Sequence, residues 1–267
     1  MYSIEILPEH VQQFMDAHAA YEASLPKTEL RVFVPHINGT EYDSILSCCK
    51  QLKDAGYVAV AHLAVRNLRK VDSLHGIADG INALGLTELL VLGGDNDQAE
   101  QFESVIDFLR TDVLQSTTIK QLYFSTFADG HPHVDDDREA IAMVKEKVDW
   151  AKAKGLPVGL LTQLCFESPM MLNHINQLQE AGVMSEVSAG FVAPCKFTKL
   201  IRVAALVGLK NAMSFVKKNN VLKLLKDYDS DTYIHPLMAS GKTGSTHAYP
   251  FGNYDGALQK LALYHAS

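Results

Sequence analysis

Polar and ionisable side chains recur at one kind of position in this sequence, near the carboxyl end of short apolar runs. Seven of the eight runs carry there a group that can move a proton or hold a polar ligand. A single buried carboxylate or imidazole is often a satisfied structural group, whereas seven at equivalent positions predict a shared pocket. The seven residues are Glu5, His36, His62, Asp95, His131, Gln163 and His247.

Glu5 is the sharpest of these residues because it interrupts an otherwise apolar run, SIEIL. Burying a carboxylate is costly, and burial raises its pKa because the charged form loses its hydration. An acid with a pKa near neutrality is well suited to donate a proton in a reaction. A Glu5 that faces water at the rim of the fold is the alternative that the residues leave open.

Asp95 follows a run that stops abruptly, ELLVLGGD. The two glycines do not form a phosphate-binding loop, because the sequence contains neither G-x-G-x-x-G nor G-x-x-x-x-G-K-[ST]. Gly93 and Gly94 instead permit a tight exit of the chain and a close approach of a ligand. We therefore expect this segment to direct the Asp95 carboxylate into the pocket.

The segment HPHVDDD (131–137) contains the residue types of a metal site. However, His131 and His133 flank a proline in a predicted loop, and the aspartates are well placed to cap the helix that follows. We therefore predict no metal there. A metal-dependent barrel hydrolase that uses His62, His131 and Asp95 remains an alternative.

The apolar runs alternate with helical patterns along the whole chain, and this alternation indicates the fold. Eight strands, each followed by a helical segment, predict a single (β/α)8 TIM barrel over residues 1–267, with a doubly wound open sheet as the alternative. The predicted strands lie at 2–7, 30–35, 57–63, 88–94, 119–127, 156–164, 185–192 and 245–251. The predicted helices lie at 10–26, where the period is weak, and at 41–55, 71–84, 98–115, 135–154, 168–181, 197–207, 210–226 and 255–265.

The composition excludes several classes of protein. A net charge of −7 argues against a general nucleic-acid binder, and no apolar stretch is long enough to span a membrane. Four cysteines without a C-x-x-C pair, and an N-terminus unlike a signal peptide, predict a cytoplasmic protein with free thiols. Residues 196–226 carry eight Lys or Arg and no acidic residue, which indicates either solvated helix faces or a patch that attracts an anionic ligand. A homo-oligomer is compatible with the sequence.

Several motifs, in their order and positions at strand ends, resemble those of the methylenetetrahydrofolate reductase family over nearly the whole chain. They are SIEILP at 3–8, AHL at 61–63, VLGGD at 91–95, FADGHP at 127–132, KVD at 147–149, LTQLCFE at 161–167, GFVAP at 190–194 and HAYPFGN at 247–253. The resemblance implies that Glu5 is the proton donor, that Asp95 is catalytic and binds folate, and that Gln163 also binds folate. It further implies a group of cofactor contacts, namely His62, Gly94, Phe127, His131 and Lys147.

The sequence departs from the family pattern mainly where the family binds FAD. An arginine, a threonine, a tyrosine, an aspartate and an asparagine of the family are replaced by Gly93, Ala64, Phe127, Ala140 and Met143. Losing several hydrogen bonds, at roughly 1–3 kcal/mol each, would weaken flavin binding. The resemblance therefore implies NAD(P)H as the hydride donor and leaves FAD open.

The resemblance implies an oxidoreductase of one-carbon metabolism and methionine biosynthesis. We expect the reduction of 5,10-methylenetetrahydrofolate to 5-methyltetrahydrofolate with NAD(P)H, or the reverse reaction. The basic segment 196–226 would then attract the glutamates of folate. A tetrahydrofolate-dependent methyltransferase or a folate-binding protein on the same barrel is the alternative, because the folate contacts are kept where the flavin contacts are lost.

Overall fold

Eight parallel strands close into a barrel in the computed structural model, which describes residues 2–131, 133–206 and 227–266. The first and last strands pair in parallel, with Tyr2 beside Thr246, so the barrel has no free edge. This confirms the predicted TIM barrel. The strands are β1 (Tyr2–Glu5), β2 (Leu30–Val34), β3 (Val58–Ala64), β4 (Glu88–Leu92), β5 (Gln121–Thr126), β6 (Val158–Thr162), β7 (Glu186–Val192) and β10 (Ser245–Tyr249).

Helices follow the strands, and local capping explains where several of them begin and end. Ser73 accepts a hydrogen bond from the Gly76 amide at the start of the helix Leu74–Leu84, and Gly85 ends that helix in the left-handed region, with φ of 57°. The Asp136 side chain likewise caps the helix Asp137–Ala153. The described helices are α1 (Val11–His18), α2 (Tyr42–Asp54), α3 (Leu74–Leu84), α4 (Val105–Leu109), α5 (Asp137–Ala153), α6 (Ser168–Glu180), α7 (Phe197–Leu206), α8 (Asp231–Ala239) and α9 (Tyr254–Ala266).

Side chains alternate between the two faces of the barrel sheet and make two separate apolar layers. Outward residues such as Val32, Leu89 and Phe124 pack under the helices. Inward residues fill the centre of the barrel: Phe33, Val60, Leu90, Tyr123 and Leu161.

A polar group closes the amino-terminal end of the barrel. Arg31 Nε and the Tyr123 hydroxyl group both donate to Glu88 Oε2, each at 2.7 Å. Because Arg31 and Tyr123 satisfy the Glu88 carboxylate, this inner charge is a structural one. This charged group lies at the end of the barrel opposite to the carboxyl ends of the strands.

A second apolar cluster covers part of the carboxyl end of the barrel. It joins the ends of β6, β7 and β10 to α7 and to a small antiparallel sheet of two strands, β8 (Cys195–Lys196) and β9 (Asp227–Tyr228). This cover leaves the polar groups at the ends of β1 to β5 as the other part of the rim. Its buried members are Leu164, Val192, Phe197, Leu200, Tyr228 and Tyr249.

The predicted helix over 98–115 is wrong, because only Val105–Leu109 is α-helical there. The side chains before it bind a neighbouring loop instead. Gln101 Nε2 donates to the Asp72 carbonyl group at 2.9 Å, and Glu100 accepts from the Lys70 amide at 2.9 Å. These long-range bonds replace the local bonds that the helical pattern suggested.

The other differences lie at element ends and in the last third of the chain. α1 stops at His18, and α3 begins at Leu74, so that Val71 lies exposed in the preceding loop. The two-stranded sheet and α8 were not predicted; Pro236 inside α8 hides its helical pattern. The predicted helix over 210–226, and with it most of the basic segment 196–226, lies outside the described residues.

The described part of the chain contains no helix that is both long and apolar enough to cross a membrane. Cys48, Cys49 and Cys165 are buried free thiols. Burial raises their pKa values, so their thiol groups stay protonated.

Candidate active site

Glu5 lies at the carboxyl end of β1 and faces the interior of the barrel. Its neighbour Ile4 is fully buried in the outer apolar layer, so alternation directs Ser3 and Glu5 inward. Protein surrounds the carboxyl group, yet 25% of the side chain remains accessible. Loss of hydration raises the pKa of Glu5 to about 7. The group is therefore a reachable acid that still holds a proton near neutral pH.

Two buried histidines lie beside the inward residues of β1, Ser3 and Glu5. His62 Nε2 is 3.9 Å from Glu5 Oε2, and His247 Nδ1 is 2.8 Å from the Ser3 hydroxyl oxygen. The edges of both imidazoles meet the Phe33 ring, with centroid distances of 5.8 Å and 5.1 Å. Burial lowers the pKa of His62 to about 3 and that of His247 well below its ordinary value. The contact between His62 and Glu5 is therefore not an ion pair at neutral pH.

Tyr249 forms the wall beside Glu5. Its hydroxyl group donates to the Thr162 carbonyl oxygen at 2.9 Å, and burial, with a smaller contribution from the Glu5 charge, raises its pKa well above the ordinary value. A Cβ atom on Gly190 would lie 2.6 Å from the Tyr249 ring and 2.7 Å from the Thr162 carbonyl oxygen. Glycine at position 190 therefore makes room for this tyrosine, a role that the sequence alone did not reveal.

Asp95 is exposed in the loop after β4, and its orientation is fixed through one carboxylate oxygen. Oδ1 accepts from the backbone N–H group of Asn38 at 3.0 Å and from Asn67 Nδ2 at 2.8 Å. Among the described residues, no hydrogen bond reaches Oδ2, which leaves that oxygen available to a ligand.

Asn67 ties three loops together at the carboxyl end of the barrel. It is 5% exposed; its Nδ2 also donates to the His36 carbonyl oxygen at 2.9 Å, and its Oδ1 accepts from the Asn96 amide at 3.1 Å. Sequence reasoning missed Asn67 because it ends a single 3-10 turn after β3, which is too short for a periodic pattern to indicate burial. The signal in the sequence that could have pointed to Asn67 is Gly94, because a glycine leaves room for a neighbouring side chain to approach the backbone.

Gly94 is required by the protein's own packing. Its φ is 97°, and a Cβ atom there would lie 2.6 Å from Asn67 Oδ1 and 2.9 Å from the Ala64 Cβ atom. The close approach that the two glycines predict is therefore made by a side chain of this protein. At Gly93, in contrast, an added Cβ atom would meet only the Arg66 side chain, at 4.0 Å.

Gln163 continues β6 on the inward face of the barrel, and it is partly buried. Its Oε1 accepts from the Leu164 amide at 3.0 Å, which fixes the side-chain amide in one orientation. No acceptor for its Nε2 is found in the described ranges, so this group can donate to a ligand.

His36 and the residues after β5 are not brought against Glu5. Burial lowers the pKa of His36, whose Nδ1 accepts from the Ala64 amide at 3.3 Å. The rings of Phe127 and His131 meet edge to face at 4.8 Å, in the loop that follows β5. The role of Phe127 and His131 as cofactor contacts stays a prediction.

Lys147 lies on the helix side of the sheet. Its ammonium group is 5.6 Å from the centre of the Phe124 ring, which belongs to the outer apolar layer. Burial lowers the pKa of Lys147 to about 8. The structure does not bring Lys147 into the group around Glu5, and its contact with a cofactor also stays a prediction.

The residues at the expected flavin positions do not fit the hydrogen bonds that FAD would need. Ala64 is fully buried, and the side chains of Phe127, Ala140 and Met143 have no group that donates or accepts a strong hydrogen bond. Gly93 offers no side chain at all.

Within the described residues, no three His, Cys, Asp or Glu side chains are grouped so that they could hold a metal ion. The set His62, His131 and Asp95 of the hydrolase alternative therefore does not form such a group.

Comparison with known proteins gives two kinds of likeness. A family model described as methylenetetrahydrofolate reductase matches residues 9–231. Among solved structures, an uncharacterized protein from Clostridium thermocellum that binds two copies of 5-methyl-5,6,7,8-tetrahydrofolic acid has a TM-score of 0.64 and 10% identity, covering 100% of this chain and 95% of that one. Dihydropteroate synthase from Thermus thermophilus has a TM-score of 0.49 and 12% identity, covering 100% and 92%.

The raised pKa of Glu5 predicts how stability depends on pH. Below its ordinary value of 4.5 the carboxyl group is protonated in both states, whereas between 4.5 and about 7 it ionises in the unfolded chain first. Stability from this group is therefore lost as the pH rises through that window, by roughly 3 kcal/mol in total. Glu5→Gln should raise the free energy of unfolding at about pH 8 by an amount of this order, and change it little at pH 4.5, in urea titrations.

The matched control is Glu139→Gln on the exposed face of α5, the same substitution at a side chain outside the barrel interior. Equal stability of wild type and Glu5→Gln at both pH values would show that Glu5 is not buried as described.

Proposed function

Because the chain belongs to the methylenetetrahydrofolate reductase family, we propose that it reduces 5,10-methylenetetrahydrofolate to 5-methyltetrahydrofolate with a hydride from NAD(P)H. The observation that carries this proposal is Glu5, an acid with a pKa of about 7 that faces the barrel interior and keeps 25% of its side chain accessible. The reaction needs a proton donor at neutral pH, and a carboxylic acid in water would already be ionised.

Glu5 acts in the first step. Its proton passes to N10 of the folate as the bond between N10 and the bridging methylene carbon breaks, which leaves an iminium ion at N5. A hydride from the reduced nicotinamide then adds to the methylene carbon, giving the methyl group and NAD(P)⁺. The Glu5 carboxylate regains its proton from solvent, so one proton and one hydride are consumed in each turnover.

Asp95 and Gln163 hold the folate. Asp95 presents Oδ2 to the N–H groups of the pterin, while Asn38 and Asn67 hold its other oxygen. Gln163 presents the amide Nε2 as a donor to the ligand. Both groups have fixed orientations before the ligand arrives, which reduces the entropy lost on binding.

The hydride passes directly from the nicotinamide to the folate, without a flavin between them. This part of the proposal is supported by the side chains at the flavin positions, because Ala64, Phe127 and Met143 can make none of the required hydrogen bonds. A purified protein that is colourless, and that turns over without added FAD, is the expected result. Tight FAD binding in a spectroscopic titration would contradict it.

A second candidate is a folate-binding protein or a tetrahydrofolate-dependent methyltransferase. It is favoured by one observation: the protein from Clostridium thermocellum, which shares this fold at 10% identity, binds 5-methyl-5,6,7,8-tetrahydrofolic acid. Oxidation of NAD(P)H in the presence of methylenetetrahydrofolate separates the two candidates. A protein that binds folate but oxidises no NAD(P)H with either nicotinamide would support the second.

The proposed acid gives a direct prediction for Glu5→Gln. The amide has the size of the carboxyl group but cannot donate a proton to N10, so we expect kcat to fall by at least about 100-fold. Folate binding should change little, as measured by fluorescence titration. Glu139→Gln serves as the control, and full turnover of Glu5→Gln would refute the assigned role.

Asn67 gives a second prediction, on binding rather than on proton transfer. Asn67→Ala removes one of the two donors that hold Asp95, so folate should bind about tenfold more weakly, the equivalent of one hydrogen bond. The control is Asn38→Ala, because Asn38 holds Asp95 through its backbone amide and its side chain is exposed. Equal folate dissociation constants for Asn67→Ala and wild type would show that Asp95 does not depend on Asn67.

A further inference from the structure

His247 carries a ring nitrogen that the protein itself does not satisfy. The residue is fully buried, and its Nδ1 is bonded to the Ser3 hydroxyl group. The Ser3 hydroxyl oxygen also lies 3.4 Å from the Thr246 carbonyl oxygen, so the hydroxyl group can donate its proton either to that oxygen or to His247 Nδ1. Whichever tautomer results, His247 Nε2 keeps one donor or acceptor function without a partner in the described part of the chain.

His62 has the same property, and its unsatisfied nitrogen faces Glu5. Its Nε2 has no hydrogen-bond partner among the described residues and is 3.9 Å from Glu5 Oε2. That separation is too long for a direct hydrogen bond, and a polar contact of this length is commonly bridged by a water molecule. An unsatisfied buried polar group costs about 1–3 kcal/mol. Two of them lie on imidazoles that pack against the same Phe33 ring, and one of the two faces Glu5, so both need an explanation.

The groups around this cluster leave Glu5 as its one acid near neutrality. His36 acts on His62 from the loop after β2, while Tyr249 on β10 and Tyr254 on α9 are close enough to respond to the Glu5 charge. Burial lowers the pKa of both His36 and His62 and raises those of the two tyrosines, so all four are neutral at pH 7. In the described ranges, no Lys or Arg pairs with Glu5.

We propose that His62, His247 and Glu5 together hold one buried water molecule, bound by the two free Nε2 atoms and by the inner side of the carboxyl group. The occupant is water because His247 is fully buried and His62 is 4% exposed, which leaves no path for a larger ligand to their nitrogens. A neutral imidazole can donate to or accept from water, so the site is compatible with either tautomer.

In the proposed reaction, on which this step rests, the water molecule solvates the Glu5 carboxylate that remains after proton transfer. It thereby lowers the free-energy cost of ionising Glu5. His62 and His247 are then positioning residues: they do not touch the substrate, but they set how readily Glu5 releases its proton toward the open side of the barrel.

The test follows the Glu5 proton directly and needs no substrate. The carboxyl band of Glu5 is titrated by infrared spectroscopy, as the difference between each protein and the same protein carrying Glu5→Gln. Wild type should titrate near pH 7, following the pKa of about 7. His62→Leu and His247→Leu remove the water ligands, so each midpoint should rise by about one pH unit.

The control is His18→Leu. His18 is equally buried, but both of its ring nitrogens are bonded, to the Leu25 carbonyl oxygen at 2.8 Å and to the Tyr57 hydroxyl group at 2.9 Å. Its substitution should lower stability without moving the Glu5 midpoint. If a leucine variant does not fold, His62→Gln or His247→Gln replaces it and should move the midpoint less.

Unchanged midpoints in the folded His62 and His247 variants would overturn the inference. This result is distinguishable from failure of the proposed function. If the protein oxidises NAD(P)H and the Glu5 midpoints stay fixed, the water site is refuted and the proposed reaction stands. If the protein has no reductase activity and the midpoints shift, the proposed reaction is refuted and the water site stands.

Discussion

The site depends on the cost of ionising a carboxyl group inside a closed barrel. Glu5 faces the interior because β1 alternates, and its neighbours include Phe33, opposite it on β2, and the neutral His62. The charged pair of the interior, Arg31 with Glu88, lies at the other end. Glu5 is thus separated from the cation that would have held it ionised, and it keeps a proton up to about pH 7.

At the rim of the barrel, in contrast, a polar group on an exposed loop is held in a fixed orientation. Asp95 lies beyond the end of β4, where a side chain is ordinarily mobile. Asn67 fixes it by joining three loops, and Gly94 makes that approach possible because it has no Cβ atom. Glu5 supplies chemistry through burial, whereas Asp95 supplies recognition through a fixed and accessible oxygen.

The sequence was most informative where a regular period exists. Eight apolar runs with helical segments between them predicted the barrel, and polar residues inside the runs predicted Glu5 and His62 as inward groups. It was least informative where distant loops bind one another. Asn67 was missed for this reason. A helix over 98–115 was wrongly expected, because Gln101 and Glu100 bond to a neighbouring loop. The fit of Tyr249 against Gly190 is likewise a contact between strands that no local pattern records.

The proposed role of Glu5 as a neutral acid is tested most directly by the pH dependence of kcat/KM for methylenetetrahydrofolate. With NAD(P)H saturating and no flavin added, we expect a plateau at low pH and a tenfold fall for each unit above about 7, the pKa of Glu5. This fall above about pH 7 should be absent from the pH profile of the residual activity of Glu5→Gln. A wild-type profile that stays flat up to about pH 9 would contradict this role, because an ionised Glu5 cannot donate the proton.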